Sequence, residues 1–222
     1  MSKKAILIYS GGIDSTVLLY KLLAEGYEVR ALAFNYGQKH VKELLCAKQI
    51  CSELGVELKE FDLREFSNLT KDASPLLANS DSDKSLSIAS QTVVPNRNAV
   101  MLSIAVAWAQ ALNINEVYIG VTLSDSTDYP DCRKEFIEAF EKAMILANAN
   151  PNLRIKAPLA NLNKTEVVKL GLELGVPFEK TWTCYRGERI PCGECASCKE
   201  RAKAFAELGV EDPLLKMLEG EF

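Results

Sequence analysis

The chain has little that would grip a nucleic acid. Its 26 lysines and arginines are outnumbered by 30 aspartates and glutamates, a formal net charge of −4. A broad hold on a phosphate backbone needs a basic face, so nucleic-acid partners are not expected. Small anions held by a few local charges and backbone N–H groups stay possible. No apolar run reaches the roughly 18–20 residues of a membrane span. The first apolar run stops at Ser10-Gly11-Gly12, too short and too strand-like for a secretory signal, so a cytoplasmic protein is expected. Histidine occurs once, at His40. The seven cysteines are an odd number with four clustered, which suits metal ligation in a reducing compartment better than disulfides.

What is present is ordinary globular material: 48% hydrophobic and 25% charged residues, enough for a packed core. Apolar, β-branched runs at 5–9, 28–35, 57–62 and 116–121 read as strands. Residues 15–25, 40–54 and 98–112 carry apolar side chains at helical spacing. Such alternation predicts an α/β fold with a doubly wound, mainly parallel sheet, which binds ligands at the carboxyl ends of its strands. The Ser-, Asp- and Asn-rich stretch 66–91 reads as a long mobile loop, either a lid or a disordered insertion. Residues 1–150 are the expected nucleotide-binding core. Residues 151–222 form a smaller, helical extension that ends in the cysteine cluster.

Ser10-Gly11-Gly12-Ile13-Asp14-Ser15-Thr16 follows the first strand and opens a helix. Phosphate loops that move a γ-phosphoryl group carry a lysine, and this one has none. The paired glycines allow a tight turn and close backbone approach. Ser15 and Thr16 fall in the first helical turn, where free N–H groups and the helix dipole favour an anion. Hydroxyls of Ser10, Ser15 and Thr16 can add hydrogen bonds. Asp14 is a candidate ligand for Mg²⁺, a hard ion suited to carboxylate and phosphate oxygens. Near the other end, Cys184, Cys192, Cys195 and Cys198 form C-x7-C-x2-C-x2-C. Four sulfurs suit tetrahedral Zn²⁺. An iron–sulfur cluster takes the same ligand count, but nothing else in the chain points to redox work. Four protein ligands leave no open position, so the expected role is structural.

The S-G-G-x-D-S loop resembles the signature of the N-type ATP pyrophosphatases. The resemblance implies an adenine nucleotide alpha hydrolase-like fold and ATP cleaved between its α- and β-phosphates. Ser10, Gly11, Gly12, Asp14, Ser15 and Thr16 would hold the leaving pyrophosphate, which needs no γ-phosphate lysine. Further blocks, "FNYGQKHVKE" at 34–43, "YPDCRKEF" at 129–136, "TWTCYRG" and "CGECASC", resemble the 7-cyano-7-deazaguanine synthase (QueC-type) family over nearly the whole chain. That family's chemistry implies a ligase that adenylates 7-carboxy-7-deazaguanine and converts it, with ammonia, to the nitrile. The four cysteines match the family's zinc ligands. Arg97, Arg133 and Lys164 are the expected cations for carboxylate or phosphate oxygens, and Asp131 the reader of a guanine-like N–H edge. His40 is expected at the nucleotide site, and Phe34 and Tyr36 are candidates to flank a base. The resemblance also implies a homodimer. Three places depart from the pattern: Asn96 and Asp128 stand where the family has glycine, and Leu162-Asn163-Lys164-Thr165-Glu166 replaces I-D-K-A-E. These departures leave open an alternative that stops at the amide or passes the acyl group to an amine on another molecule, such as a partner protein.

Overall fold

The computed structural model describes residues 3–80, 82 and 84–219. Five strands form one sheet in the order β3-β2-β1-β4-β5, with every neighbouring pair parallel. They are β1 (Lys3–Ile8), β2 (Tyr27–Asn35), β3 (Glu57–Asp62), β4 (Glu116–Tyr118) and β5 (Arg154–Lys156). The doubly wound parallel sheet expected from the sequence is therefore present. In β1, Ala5, Ile6 and Leu7 are all fully buried, as a central parallel strand covered on both faces requires.

One apolar layer holds α1 (Ile13–Ala24), α2 (Lys42–Leu54), α7 (Lys164–Glu173) and α8 (Ala196–Glu207). The opposite layer is built by α4 (Arg97–Ala111) and α6 (Lys134–Asn148). Successive β1 side chains divide between them: Ala5 and Leu7 pack into the first cluster, Ile6 into the second. Shorter helices α3 (Arg64–Thr70), α5 (Leu123–Asp128) and α9 (Pro213–Glu219) are the remaining α-helices among the described residues. None of these helices is long and apolar enough to cross a membrane.

β5 lies past residue 150, on the side assigned to the extension, yet it pairs with β4, so the sheet runs across that boundary. The stretch 66–91 also differs from a free loop. Leu76 and Leu77 are buried in the second core cluster, and Gln38 forms an isolated bridge with Leu77. Lys39 N–H donates to the Leu76 carbonyl at 2.8 Å, and Ala78 N–H to the Gly37 carbonyl at 2.7 Å. Burying two leucines anchors the segment beside the strand ends.

Sheet order reverses between β1 and β4. A crevice opens there at the carboxyl ends, the usual ligand position in such sheets. Both the Ser10–Thr16 loop and the turn after β4 reach it.

Candidate active site

The loop after β1 is fixed from below. Gly11 has φ +87, and a Cβ there would lie 2.2 Å from the Glu43 carbonyl oxygen and 2.7 Å from Ala47 N, so α2 packs directly on the turn. The residue must be glycine for both conformation and space. Its carbonyl accepts from Trp182 N–H at 3.2 Å, which ties the C-terminal region to the loop. Above Gly11 the hydroxyls knit the turn: Ser10 Oγ lies 3.1 Å from Ser15 Oγ and accepts from Gly12 N–H at 3.1 Å. Gly12 caps α1 without a side-chain hydrogen bond. The first N–H groups of α1 are thus left for a ligand, the arrangement that binds phosphate. Thr16 is different. It is fully buried with its hydroxyl 3.2 Å from Tyr9 Oη, so it supports the loop from the core side.

A cavity of about 230 Å³ spans the crevice, lined by Ser10, Gly12, Asp14 and Ser15 on one wall and Tyr36, His40 and Arg97 on another. Lys164, at the start of α7, donates to Asp14 Oδ2 at 2.5 Å and lies 3.5 Å from Glu200. Burial opposes the Lys164 charge, but these two carboxylates hold its pKa above the ordinary lysine range. Asp14 is pushed up to about 6, chiefly by burial, against the pull of Lys164. Its other oxygen, Oδ1, is buried with no hydrogen-bond partner among the described residues. An orphaned carboxylate oxygen at a helix N-terminus that favours anions fits a hard divalent cation such as Mg²⁺.

Among the described residues, Arg97 presents the only guanidinium on the cavity wall. It forms no salt bridge among the described residues, and its Nη1 donates to Tyr36 Oη at 3.1 Å. Cys132 also borders the cavity. Burial pushes its thiol well above the usual range, and its sulfur accepts from Asn98 Nδ2 at 3.1 Å, which does not suit a nucleophile. Of the other residues expected here, Asp131 turns its Oδ2 to the Asn98 N–H at 2.9 Å, securing the first turn of α4. Arg133 is exposed, with Nε donating to the Ser126 carbonyl at 3.2 Å. The structure brings neither to the cavity wall. It brings instead Glu43, Asp125, Tyr185 and Glu200, which sequence reasoning did not select. Glu43 had a local signal, three residues after His40 at a helix start. Glu200 had none, since only the packing of α7 on α8 brings it to Lys164.

The departures from the family pattern also find places. Asn96 sits at φ +56, the left-handed region that asparagine tolerates best after glycine, just before α4. Asn163 caps α7, accepting from Glu166 N–H at 2.9 Å, a task aspartate and asparagine share. Two of the three changes thus conserve local backbone structure. Asp128 borders a smaller side chamber, together with Asp125, Tyr185 and Glu200.

The cysteine cluster lies beside the site. Sulfurs of Cys184, Cys192, Cys195 and Cys198 all lie within 4.8 Å of one another, a set able to hold a metal ion. Cys192 N–H points at Cys184 Sγ and Cys195 N–H at Cys192 Sγ, each at 3.4 Å, the N–H···S pattern of a ligand knuckle. Such donors stabilise thiolates and fit Zn²⁺. Cys195 caps α8, and Trp182, two residues before Cys184, lines the cavity, so the cluster braces the cavity's rim.

A parallel sheet with a lysine-free, glycine-paired loop at its switch point has the adenine nucleotide alpha hydrolase-like fold. Solved structures of that shape include an NMN synthetase from Francisella tularensis, with TM-score 0.55 and 20% identity, covering 99% of this chain and 78% of that one. Another is a 4-thiouridine synthetase in complex with RNA and bound ATP, with TM-score 0.55 and 19% identity, covering 99% and 53%. At those identities the likeness concerns the fold. The chain belongs to the QueC family: the model described as "Queuosine biosynthesis protein QueC" matches residues 4–209. Its curated relatives include the 7-cyano-7-deazaguanine synthase of Caldicellulosiruptor bescii, 44% identical over 95% of this chain and 96% of the relative. The enzyme of the same name from Archaeoglobus fulgidus is 43% identical over 96% and 90%.

Proposed function

We propose that the protein is an ATP-dependent carbon–nitrogen ligase that adenylates 7-carboxy-7-deazaguanine and, with ammonia, converts it to 7-cyano-7-deazaguanine. The observation that carries this reading is one cavity with two complementary walls. A phosphate loop without a γ-phosphate lysine faces a guanidinium that has no carboxylate partner among the described residues. ATP and a carboxylic acid bound beside it would satisfy both walls. The curated relatives' name supports the nitrile product, and the acid is the carboxylate from which that nitrile is made.

In this reading Ser10, Gly12, Ser15 and the first N–H groups of α1 hold the departing pyrophosphate, while Gly11 and Thr16 shape the loop. Arg97 anchors the acid. One carboxylate oxygen attacks the α-phosphorus and pyrophosphate leaves, giving an acyl adenylate. Ammonia then forms the C–N bond and the C–O bond to AMP breaks. The amide oxygen is activated in the same way by a second ATP, and loss of AMP and the remaining N–H protons leaves the nitrile. The protein contributes positioning and charge neutralisation, with no covalent intermediate on a side chain. Asp14 is the residue that would hold Mg²⁺, which when bound neutralises phosphate charge. The four cysteines would hold Zn²⁺ in a structural role. Lys164 keeps Asp14 in place and adds positive charge beside the loop. A homodimer in the cytoplasm completes the reading.

The test is product analysis. Zinc-loaded protein incubated with the acid, ATP, Mg²⁺ and ammonium should yield the nitrile, AMP and pyrophosphate by mass spectrometry. An amide as the final product, or a deazaguanine adduct on a protein amine, would replace the nitrile-forming step. ADP and orthophosphate would overturn the whole reading.

A further inference from the structure

His40 and Tyr36 are both more than nine-tenths buried and both line the cavity. The hydrogens around them can be assigned by elimination. His40 Nε2 lies 3.3 Å from Glu43 Oε1 and 3.4 Å from Tyr36 Oη, while Nδ1 is buried with no partner among the described residues. A proton on Nδ1 would be a buried, unpaired N–H, which proteins tolerate far less well than an unpaired acceptor. It would also turn the Nε2 lone pair toward the lone pairs of a carboxylate oxygen. The proton therefore sits on Nε2, donated toward Glu43. Nε2 then cannot accept from Tyr36. The Tyr36 oxygen itself accepts from Arg97 Nη1 at 3.1 Å. Its own O–H is left without an acceptor among the described residues, in the wall of the cavity that holds Arg97.

We propose that the Tyr36 hydroxyl is a catalytic hydrogen-bond donor that, together with Arg97, stabilises the negative charge on the acyl oxygen when ammonia adds to the acyl adenylate. The proposal rests on the acyl-adenylate reading given above. As the C–N bond forms, the carbonyl π electrons move onto oxygen; when they return, AMP leaves with the electron pair of the C–O bond and one N–H proton is lost to solvent. Tyr36 donates a hydrogen bond throughout and keeps its proton. Burial, first, and the neighbouring Glu43 carboxylate outweigh the opposing Arg97 charge and push the phenol up to about 12, so it stays protonated at neutral pH. Its position is well held: Tyr36 N–H donates to Gln38 Oε1 at 2.9 Å, and Gln38 Nε2 returns to the Phe34 carbonyl at 3.2 Å. Such preorganisation lets one donor matter in a transition state.

The experiment compares wild type with Tyr36→Phe, both as zinc-loaded full chains. Two readouts are followed: acid-dependent ATP–pyrophosphate exchange, which needs only adenylation, and single-turnover amide formation after ammonium is added. Tyr36→Phe should slow amide formation on the order of 10²-fold, the effect of deleting one oxyanion donor, and exchange by a much smaller factor. Equal losses in both readouts, or no loss in amide formation, would overturn the proposal. Glu43→Gln provides a second variant that leaves Tyr36 in place. Without the carboxylate, His40 is free to turn its Nε2 lone pair to the Tyr36 proton, so amide formation should again fall more than exchange; an unchanged ratio counts against the role. Absence of acid-dependent exchange in the wild type would instead sink the underlying acyl-adenylate reading.

Discussion

Arg201 and Asp212 carry the clearest energetic prediction in the molecule. Both are buried, at 4% and 7% exposure, and the guanidinium meets the carboxylate through Nε to Oδ2 at 2.6 Å and Nη2 to Oδ1 at 2.8 Å. The remaining N–H groups reach the Thr181 and Phe178 carbonyls at 3.2 and 2.9 Å. The next residue, Trp182, donates to the Gly11 carbonyl. The pair therefore positions the segment that clamps the Ser10–Thr16 loop. Asp212→Asn preserves shape and the cap that Oδ1 gives to Leu214 N–H, but leaves a buried cation without its counter-charge. Breaking such a pair costs about 3–5 kcal/mol. For a chain of this length that is a fall in Tm of roughly 6–20 °C, at about 2–4 °C per kcal/mol. Urea unfolding of zinc-loaded protein should show the midpoint shift with the slope unchanged. The KM for ATP should rise, because the clamp loosens. A loss under about 1 kcal/mol, well below the cost of an uncompensated buried charge, would show that the two carbonyls hold the guanidinium unaided.

Other expectations follow from the same geometry. Gly11→Ala forces a Cβ to within 2.2 Å of the Glu43 carbonyl and should abolish ATP binding by calorimetry, whereas Gly26→Ala, a positive-φ glycine with open space around it, should leave binding intact. If ionised Asp14 holds the cation, kcat/KM for ATP should rise with pH through a midpoint near the value of about 6 that burial gives its carboxyl; Asp14→Asn should flatten that limb. The raised pKa also makes the Asp14 contribution to stability fullest below the unfolded value of about 4, lost as pH climbs through about 6. The stability difference between wild type and Asp14→Asn should therefore move against wild type over that window. Cys192→Ser should reduce zinc content below one ion per chain by atomic spectroscopy and raise the proteolytic sensitivity of the region that packs around Trp182; retention of a full equivalent would contradict the four-sulfur site.

Much of this was readable from residue order alone, for reasons that are local. Strand β1 and the Ser10–Thr16 turn are contiguous, and the short steps between Cys192, Cys195 and Cys198 fix a knuckle wherever the chain folds. The parts that were not readable depend on partners distant in sequence. β5 is three residues long with one buried side chain, a pattern too brief to distinguish from a turn. The polar run around 66–91 hides Leu76 and Leu77, whose burial depends on Gln38 and the strand ends rather than on their neighbours. Asp131 looked available for a ligand because its chain position says nothing of the Asn98 N–H that occupies it. The free Tyr36 proton follows only from a hydrogen-bond count over four side chains. Asn96 shows the reverse case: a glycine-to-asparagine change that looks disruptive in one dimension occupies a left-handed backbone position in three.

The most direct measurement uses the acid labelled with ¹⁸O in both carboxylate oxygens, turned over with unlabelled ATP and ammonium. If the carboxylate and then the amide oxygen attack the α-phosphorus, each AMP released should carry one ¹⁸O, and the pyrophosphate none. Label appearing in orthophosphate or pyrophosphate, or AMP free of label while product accumulates, would contradict the account.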